Sequence, residues 1–283
     1  MAKFRLACAN GQLDVVRELL ALQGDRAVDV HADDEIAFGC ACANGHVDVV
    51  RELLALQGDR FINVNANDED AFQWACANGR LSVVQELLAL QGDRAIDMRA
   101  VNELAFRWAC GNGRLDVVRE LLALQGDRAV DVHADDEDAL KWACKHGHLP
   151  VVRELLALQG DRAVDVHADD EAAFRLACAR GHLDVVRELL ALQGDRAVDV
   201  HAQNEYAFRA ACANDHMPVV RELLALEGAQ APDPDVVREL GLEDLYHTVR
   251  WDRRRAMLTH RTAGQRAARA ARAADKHAAR TAL

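Results

Sequence analysis

The chain has 283 residues, 51% of them hydrophobic and 28% charged, with a formal charge of −12, the profile of a soluble protein long enough to bury a sizeable core. It has no apolar run of the roughly 20 residues a membrane-spanning helix needs, and the opening "MAKFRLACANGQLDVV" carries no apolar signal core. Eight cysteines without such a signal point to a reducing, cytoplasmic setting, with nuclear placement or delivery into another cell left open.

The charge is uneven. From Arg250 onward ten Lys/Arg face two Asp, which leaves the first 249 residues at −20. The body is acidic and the tail is basic.

Self-similarity organises the body. Cys8, Cys42, Cys76, Cys110, Cys144, Cys178 and Cys212 stand 34 residues apart, and the pair Leu19-Leu20 returns in each unit. Gly11 recurs in step until the seventh unit, where Asp215 replaces it. Each unit opens on a short helix such as "DDEDAFQWACANG". There Asp68 is placed to cap the N-terminus, with Glu69 in the first turn. Ala71, Phe72, Ala75 and Cys76 share one face, and Gly79 ends the helix. A second helix follows, "HVDVVRELLALQ", with Val47, Val50, Leu53 and Leu54 as its apolar stripe. Pro150 and Pro218 mark its first turn, the one helical place that tolerates proline. The connector "GDRAVDVHADD" is polar, with a short valine alternation.

A pair of such short helices cannot bury its own apolar faces, so the pairs are expected to stack into a solenoid. The stretches "ACANGHVDVVRELLAL" and "LACARGHLDVVRELLAL" resemble the helix–turn–helix of the ankyrin repeat over roughly residues 3 to 229. The resemblance implies an all-α fold: an ankyrin-like solenoid of seven stacked helix–turn–helix repeats with a C-terminal helical cap and a basic tail. The sequence departs from that family in its 34-residue period and in lacking a Thr-Pro-Leu-His opening. The family's β-hairpin finger is therefore expected to be altered, in the direction of a simple acidic loop. The tetratricopeptide repeat shares the period, but its Trp…Leu-Gly…Tyr…Pro pattern is absent.

The cysteines read as packing, because equivalent residues of stacked helices lie roughly 8–10 Å apart and a disulfide needs Cα atoms within about 7 Å. His46, His148, His182 and His216 exchange with Gln12, Arg80 and Arg114 between units. That exchange suits a hydrogen-bonding or solvated turn and not a metal ligand. His31, His133, His167 and His201 exchange with Asn65 and Arg99 and read the same way. The Asp-Asp-Glu triplets read as helix caps on a solvated acidic rim. No metal, cofactor or catalytic set is expected.

Positions that vary between otherwise similar units carry the individuality. In ankyrin arrays the first helix lines a concave groove, so the resemblance places the candidate partner-binding residues there: Trp74, Arg107, Trp108, Lys141, Trp142, Lys145, His146, Arg175, Arg180, Tyr206 and Arg209. Tryptophan and arginine are enriched in binding hot spots. The competing reading is that the tryptophans fill space between repeats.

After "AQAPDPD", Asp235 is placed to cap "VVREL", which stops at Gly241. Leu242, Leu245, Tyr246 and Val249 then mark an amphipathic helix to about Thr259, suited to cap the array. The expected domains are 1–229 (array), 230–262 (capping helices) and 263–283 (tail). The tail is rich in alanine and carries Arg266, Arg269, Arg272, Lys276 and Arg280. It reads as a solvated segment, a weak nucleic-acid or anionic-surface contact, or a segment folded back on the acidic rim of its own array or a neighbour's. The function expected is a monomeric, non-catalytic adaptor for another protein. A nucleic-acid-associated adaptor and an effector delivered into a host cell are the alternatives.

Overall fold

The computed structural model describes residues 2–66, 70–96 and 103–255, and they form two compact units, residues 1–198 and 199–283. The first unit holds six helix pairs: α1 (Ala2–Ala9) with α2 (Leu13–Leu20), α3 (Ala32–Asn44) with α4 (Val47–Leu54), α5 (Asp70–Ala77) with α6 (Leu81–Leu88), α7 (Leu104–Gly111) with α8 (Leu115–Leu122), α9 (Ala134–Lys145) with α10 (Leu149–Leu156), and α11 (Ala168–Arg180) with α12 (Leu183–Leu190). The first helix of each pair packs on the first helix of the next pair, and second helices pack on second helices. The result is a two-layer stack. Helices of about eight residues are too short to stand alone in water, so burial holds them. In the second helices from α4 to α12 Val-Val and Leu are buried, as with Val151, Val152 and Leu155, and α2 buries Val16 and Leu20. In each first helix a Phe or Leu is buried, as with Phe38, Phe72, Phe106, Leu140 and Phe174. Each such side chain contributes about 1.5–3 kcal/mol. The cysteines from Cys8 to Cys178 lie buried on this row and are free thiols. Burial pushes the thiols of Cys76, Cys110 and Cys144 far above the usual range, so they are inert.

The seams between repeats are the informative part. The turn glycine takes positive φ, as at Gly45 (81°) and Gly79 (71°). It also leaves room: a Cβ on Gly45 would lie 2.8 Å from Arg80 Cδ, and one on Gly147 2.4 Å from His182 Nδ1. Those incoming side chains reach the end of the preceding first helix. His46 Nε2 meets Ala9 O at 2.9 Å, Arg80 Nε donates to Ala43 O at 3.0 Å, Arg114 Nε to Ala77 O at 3.0 Å, and His182 Nε2 meets Lys145 O at 2.9 Å. Histidine and arginine exchange there because both place an N–H on the same orphan carbonyl.

The connector is not the plain acidic loop expected. It opens on a 3₁₀ turn at Gly-Asp-Arg, as in Gly126–Arg128. Its arginine caps the second helix of the preceding repeat: Arg60 donates to Leu20 O at 2.9 Å, Arg162 to Leu122 O at 3.0 Å and Arg196 to Leu156 O at 3.0 Å. The alternating valines then turn inward, with Val130, Val132, Val164 and Val166 all buried. Among the described residues the connector forms no β-strand.

The Asp-Asp-Glu triplet corrects a second expectation. Its two aspartates are exposed, as a solvated rim requires, but its glutamate is buried and the triplet is not a cap: Asp33, Asp34 and Glu35 have φ of 52°, 52° and 58°, and Asp135, Asp136 and Glu137 of 52°, 55° and 67°. Three consecutive residues thus form a left-handed turn, costing roughly 1–2 kcal/mol each for ordinary L-residues and less for Asp. No side chain caps the helix there. Asp68 and Glu69, on which the cap was first read, lie outside the described residues, as does Arg99.

In the second unit, α13 (Ala202–Ala213) and α14 (Met217–Leu224) form the seventh pair, followed by α15 (Pro234–Glu239). The cap of α15 is Asp233, which accepts from Asp235 N, and not Asp235, because Pro234 takes the first helical position. Among the described residues a further helix, α16, covers 243–255. It buries Val249 and lays Arg253 on Ala225 O at the end of α14. The basic tail, with Arg266, Arg269, Arg272, Lys276 and Arg280, and the stretch toward Thr259 lie outside the described residues.

Candidate partner-binding face

The face built by the first helices has two edges, one at the left-handed turns and one at the helix–turn–helix tips. At the turn edge the triplet's glutamate is buried: Glu137 and Glu171 are each 3% exposed. A histidine four residues upstream meets it, with Nδ1 to Oε1 distances of 2.9 Å for His31–Glu35, 2.5 Å for His133–Glu137, 2.6 Å for His167–Glu171 and 2.9 Å for His201–Glu205. The other ring nitrogen faces a carbonyl 28 residues ahead. His31 Nε2 lies 2.8 Å from Asp59 O, His133 Nε2 2.9 Å from Asp161 O, His167 Nε2 2.7 Å from Asp195 O, and His201 Nε2 2.7 Å from Ala229 O. The same glutamate oxygen accepts a backbone N–H from the following connector: Asn63 N on Glu35 at 3.3 Å, Asp165 N on Glu137 at 3.0 Å and Asp233 N on Glu205 at 2.6 Å. A ring with acceptors on both nitrogens is best satisfied as an imidazolium, which donates twice. The glutamate and the facing carbonyl accordingly raise the pKa of His31, His133 and His167 above the ordinary value, and the Ala229 carbonyl with Glu205 does so for His201.

Cations of the first helices brace the same turns. Arg107 is 8% exposed and pairs with Asp135 and with Asp138, the latter at 2.8 Å. Lys141 pairs with Asp138 at 3.1 Å and with Asp169, and donates to Asp135 O at 3.2 Å. Arg175 donates to Asp170 O at 2.8 Å and Asp169 O at 2.7 Å. In the second unit Arg209 makes two bonds to Glu239, at 2.9 and 2.8 Å, and one to Asn204 O at 3.1 Å. Sequence reasoning placed these four at a partner's disposal; the structure engages each with carboxylates or turn carbonyls of its own chain.

Trp74, Trp108 and Trp142 are half-buried. Two of them cross the seam onto a glycine. A Cβ on Gly39 would lie 2.8 Å from Trp74 Cζ3, and one on Gly111 2.9 Å from Trp142 Cε3. Gly39 stands where later repeats carry Gln73, Arg107 and Lys141, so the small residue and the large one in the next repeat are a matched pair. That pairing was readable in the sequence as a glycine breaking register one unit before a tryptophan.

At the tip edge the arrangement differs. Lys145 and Arg180 have no ion-pair partner among the described residues, and Arg180 is exposed. His146 lies beside Trp142, ring centroids 6.4 Å apart and edge-on, and 6.2 Å from the His148 ring. In the second unit Tyr206 is 47% exposed. No group of histidine, cysteine and carboxylate side chains among the described residues is arranged to hold a metal. No helix among them is long and apolar enough to cross a membrane.

The family model for ankyrin repeats in three copies matches residues 4–102 and 92–170, and the single ankyrin repeat matches 172–205. The chain belongs to the ankyrin repeat family. Ankyrin repeats are in general non-catalytic protein–protein interaction modules. No curated protein matches the chain. Among solved structures, an ankyrin repeat family protein from Legionella pneumophila is similar at 21% identity, over 80% of this chain and 71% of that one, with a TM-score of 0.36.

Proposed function

We propose that this ankyrin repeat protein is a non-catalytic adaptor that binds another protein on the face of its first helices. One observation carries the reading: along the stack, the variable positions gather on that face, while the seams and second helices repeat nearly unchanged from unit to unit. Trp74, Trp108 and Trp142 are half-buried, Trp142 lies beside His146, and the stack is pre-ordered, so binding loses little conformational entropy. Arg107, Lys141 and Arg175 shape the face through their turns. In the second unit Tyr206 and Arg209 belong to the same set of first-helix positions. The setting we favour is intracellular and reducing, because eight free thiols are kept.

The experiment is capture from a source-cell lysate by the full chain and by a chain ending at Thr262, with nuclease and at low and moderate salt. Recovery of one protein by both chains, resistant to nuclease, is the expected outcome. Recovery that vanishes with the tail or with nuclease contradicts the reading and favours a nucleic-acid contact through the arginines.

A further inference from the structure

We propose that the tip of repeats five and six, centred on Lys145 and Arg180, receives an acidic peptide segment of the protein partner; this rests on the adaptor reading above. Repeats two and three carry Ala43-Asn44 and Ala77-Asn78 before the turn, where repeat five carries Lys145-His146 and repeat six Ala179-Arg180. The second helices of repeats four and six open with Asp116 and Asp184, but that of repeat five opens with Pro150. Two changes in one tip, Lys145 and Pro150, and Arg180 in the tip beside it therefore move the formal charge in the same direction within a body of net charge −20, and His146 adds an imidazole beside them. Repeat three also lacks the acid, at Ser82, yet keeps its neutral Ala77-Asn78.

The local geometry makes these cations available. The cations of the turn edge engage groups of their own chain; Lys145 and Arg180 pair with no carboxylate among the described residues. The Lys145 carbonyl is fixed by His182 at 2.9 Å, so the lysine's backbone is held firmly against the next repeat. Burial is the main cause that pushes the His148 pKa down; His146, Arg114 and His182 add to it, against the Gly111 backbone, which raises it.

The chemistry selects the ligand. His146 and Arg180 occupy equivalent places in adjacent repeats, so they stand roughly 8–10 Å apart. An extended chain rises about 3.3 Å per residue, which puts carboxylates three positions apart on both. Arg180 can donate two parallel N–H bonds to a carboxylate, and the edge of Trp142 offers a wall for glutamate methylenes. A nucleic acid fits less well. Screening acts over roughly 8–10 Å, about one repeat, so a long polyanion also meets Asp116 of repeat four, while two or three carboxylates face Lys145 and Arg180 with Asp184 of the same tip opposing them.

The test is fluorescence anisotropy on the full chain with three labelled probes: a short peptide with glutamate at every third position, its glutamine analogue, and a single-stranded oligonucleotide of equal length. The comparison variant is Lys145→Ala, His146→Asn, Arg180→Asn, which restores residues that other repeats carry and retains the basic tail. The glutamate peptide is expected to bind in a salt-sensitive way and to weaken about tenfold in the variant, a fraction of a kcal/mol per lost charge, with the glutamine analogue silent. Equal glutamate-peptide binding by chain and variant overturns the proposal, as does no binding to the full chain, or binding of the glutamine analogue as tight as that of the glutamate peptide. An oligonucleotide that binds tighter than the peptide and is lost in the variant replaces the peptide by nucleic acid. The probes touch only the tip, so capture of a partner by the first-helix face stands or falls separately.

Discussion

The two edges of the first unit's stack use charge in opposite ways. At the left-handed turns, His133, Glu137, Arg107 and Lys141 are all engaged by the next turn, connector or helix. At the tips of repeats five and six, Lys145 and Arg180 carry charge that makes no ion pair among the described residues. A near-copied repeat fixes the residues that join one unit to the next and leaves free those that do not. The turn edge spends its charges on joining repeats, and the tips of repeats five and six, though joined by the His182 bond to Lys145 O, are where the proposed peptide contact lies.

Removing a glutamate should break the comparison hardest. Glu137→Ala empties the site of a buried side chain and leaves His133 and the Asp165 N–H without their acceptor, and a loss of about 2–3 kcal/mol is expected. Urea unfolding followed by hydrogen exchange across repeats five and six reads it, since arrays can open repeat by repeat. Gly111→Ala comes next, at about 1–3 kcal/mol, because the new methyl meets the Trp142 ring. A loss near zero there would mean the ring moves freely.

The histidines sharpen the comparison through pH. Their pKa values are raised in the fold, so the stability they add is complete below the ordinary value of 6.5 and is lost as pH rises through the elevated folded values. The melting temperature should therefore fall between neutral and mildly alkaline pH. Changing His31, His133, His167 and His201 to Asn, the residue repeat three carries at Asn65, should flatten that decline. Asp136 separates backbone strain from charge: Asp136→Gly should be neutral or stabilising by up to about 1 kcal/mol, while Asp136→Ala should cost about 1 kcal/mol, since φ there is positive. The smallest stability effect belongs to the tip. Lys145→Ala with Arg180→Asn should leave the unfolding midpoint unchanged within about 0.5 kcal/mol.

Much of this was legible in the sequence. The 34-residue period gave the helix pairs, the prolines located the start of the second helix, and the histidine–arginine exchange marked a shared hydrogen bond. The left-handed turn was not legible, because Asp-Asp-Glu before an apolar helix also fits an N-terminal cap. The missed signal lies in the comparison of units: Glu35, Glu103, Glu137, Glu171 and Glu205 persist while the pair before them becomes Val101-Asn102 or Gln203-Asn204. A solvated cap tolerates exchange at the glutamate; a buried acceptor does not. The charges on Arg107, Lys141, Arg175 and Arg209 were legible as a set, but their partners were not, since those lie on a turn whose course the sequence conceals.

The most direct test of the account is a hydrogen-exchange footprint of the captured partner on the full chain. Protection of α5, α7, α9 and α11, with the tips of repeats five and six, is the predicted result. Protection confined to the second helices, or to residues beyond 255, would contradict it.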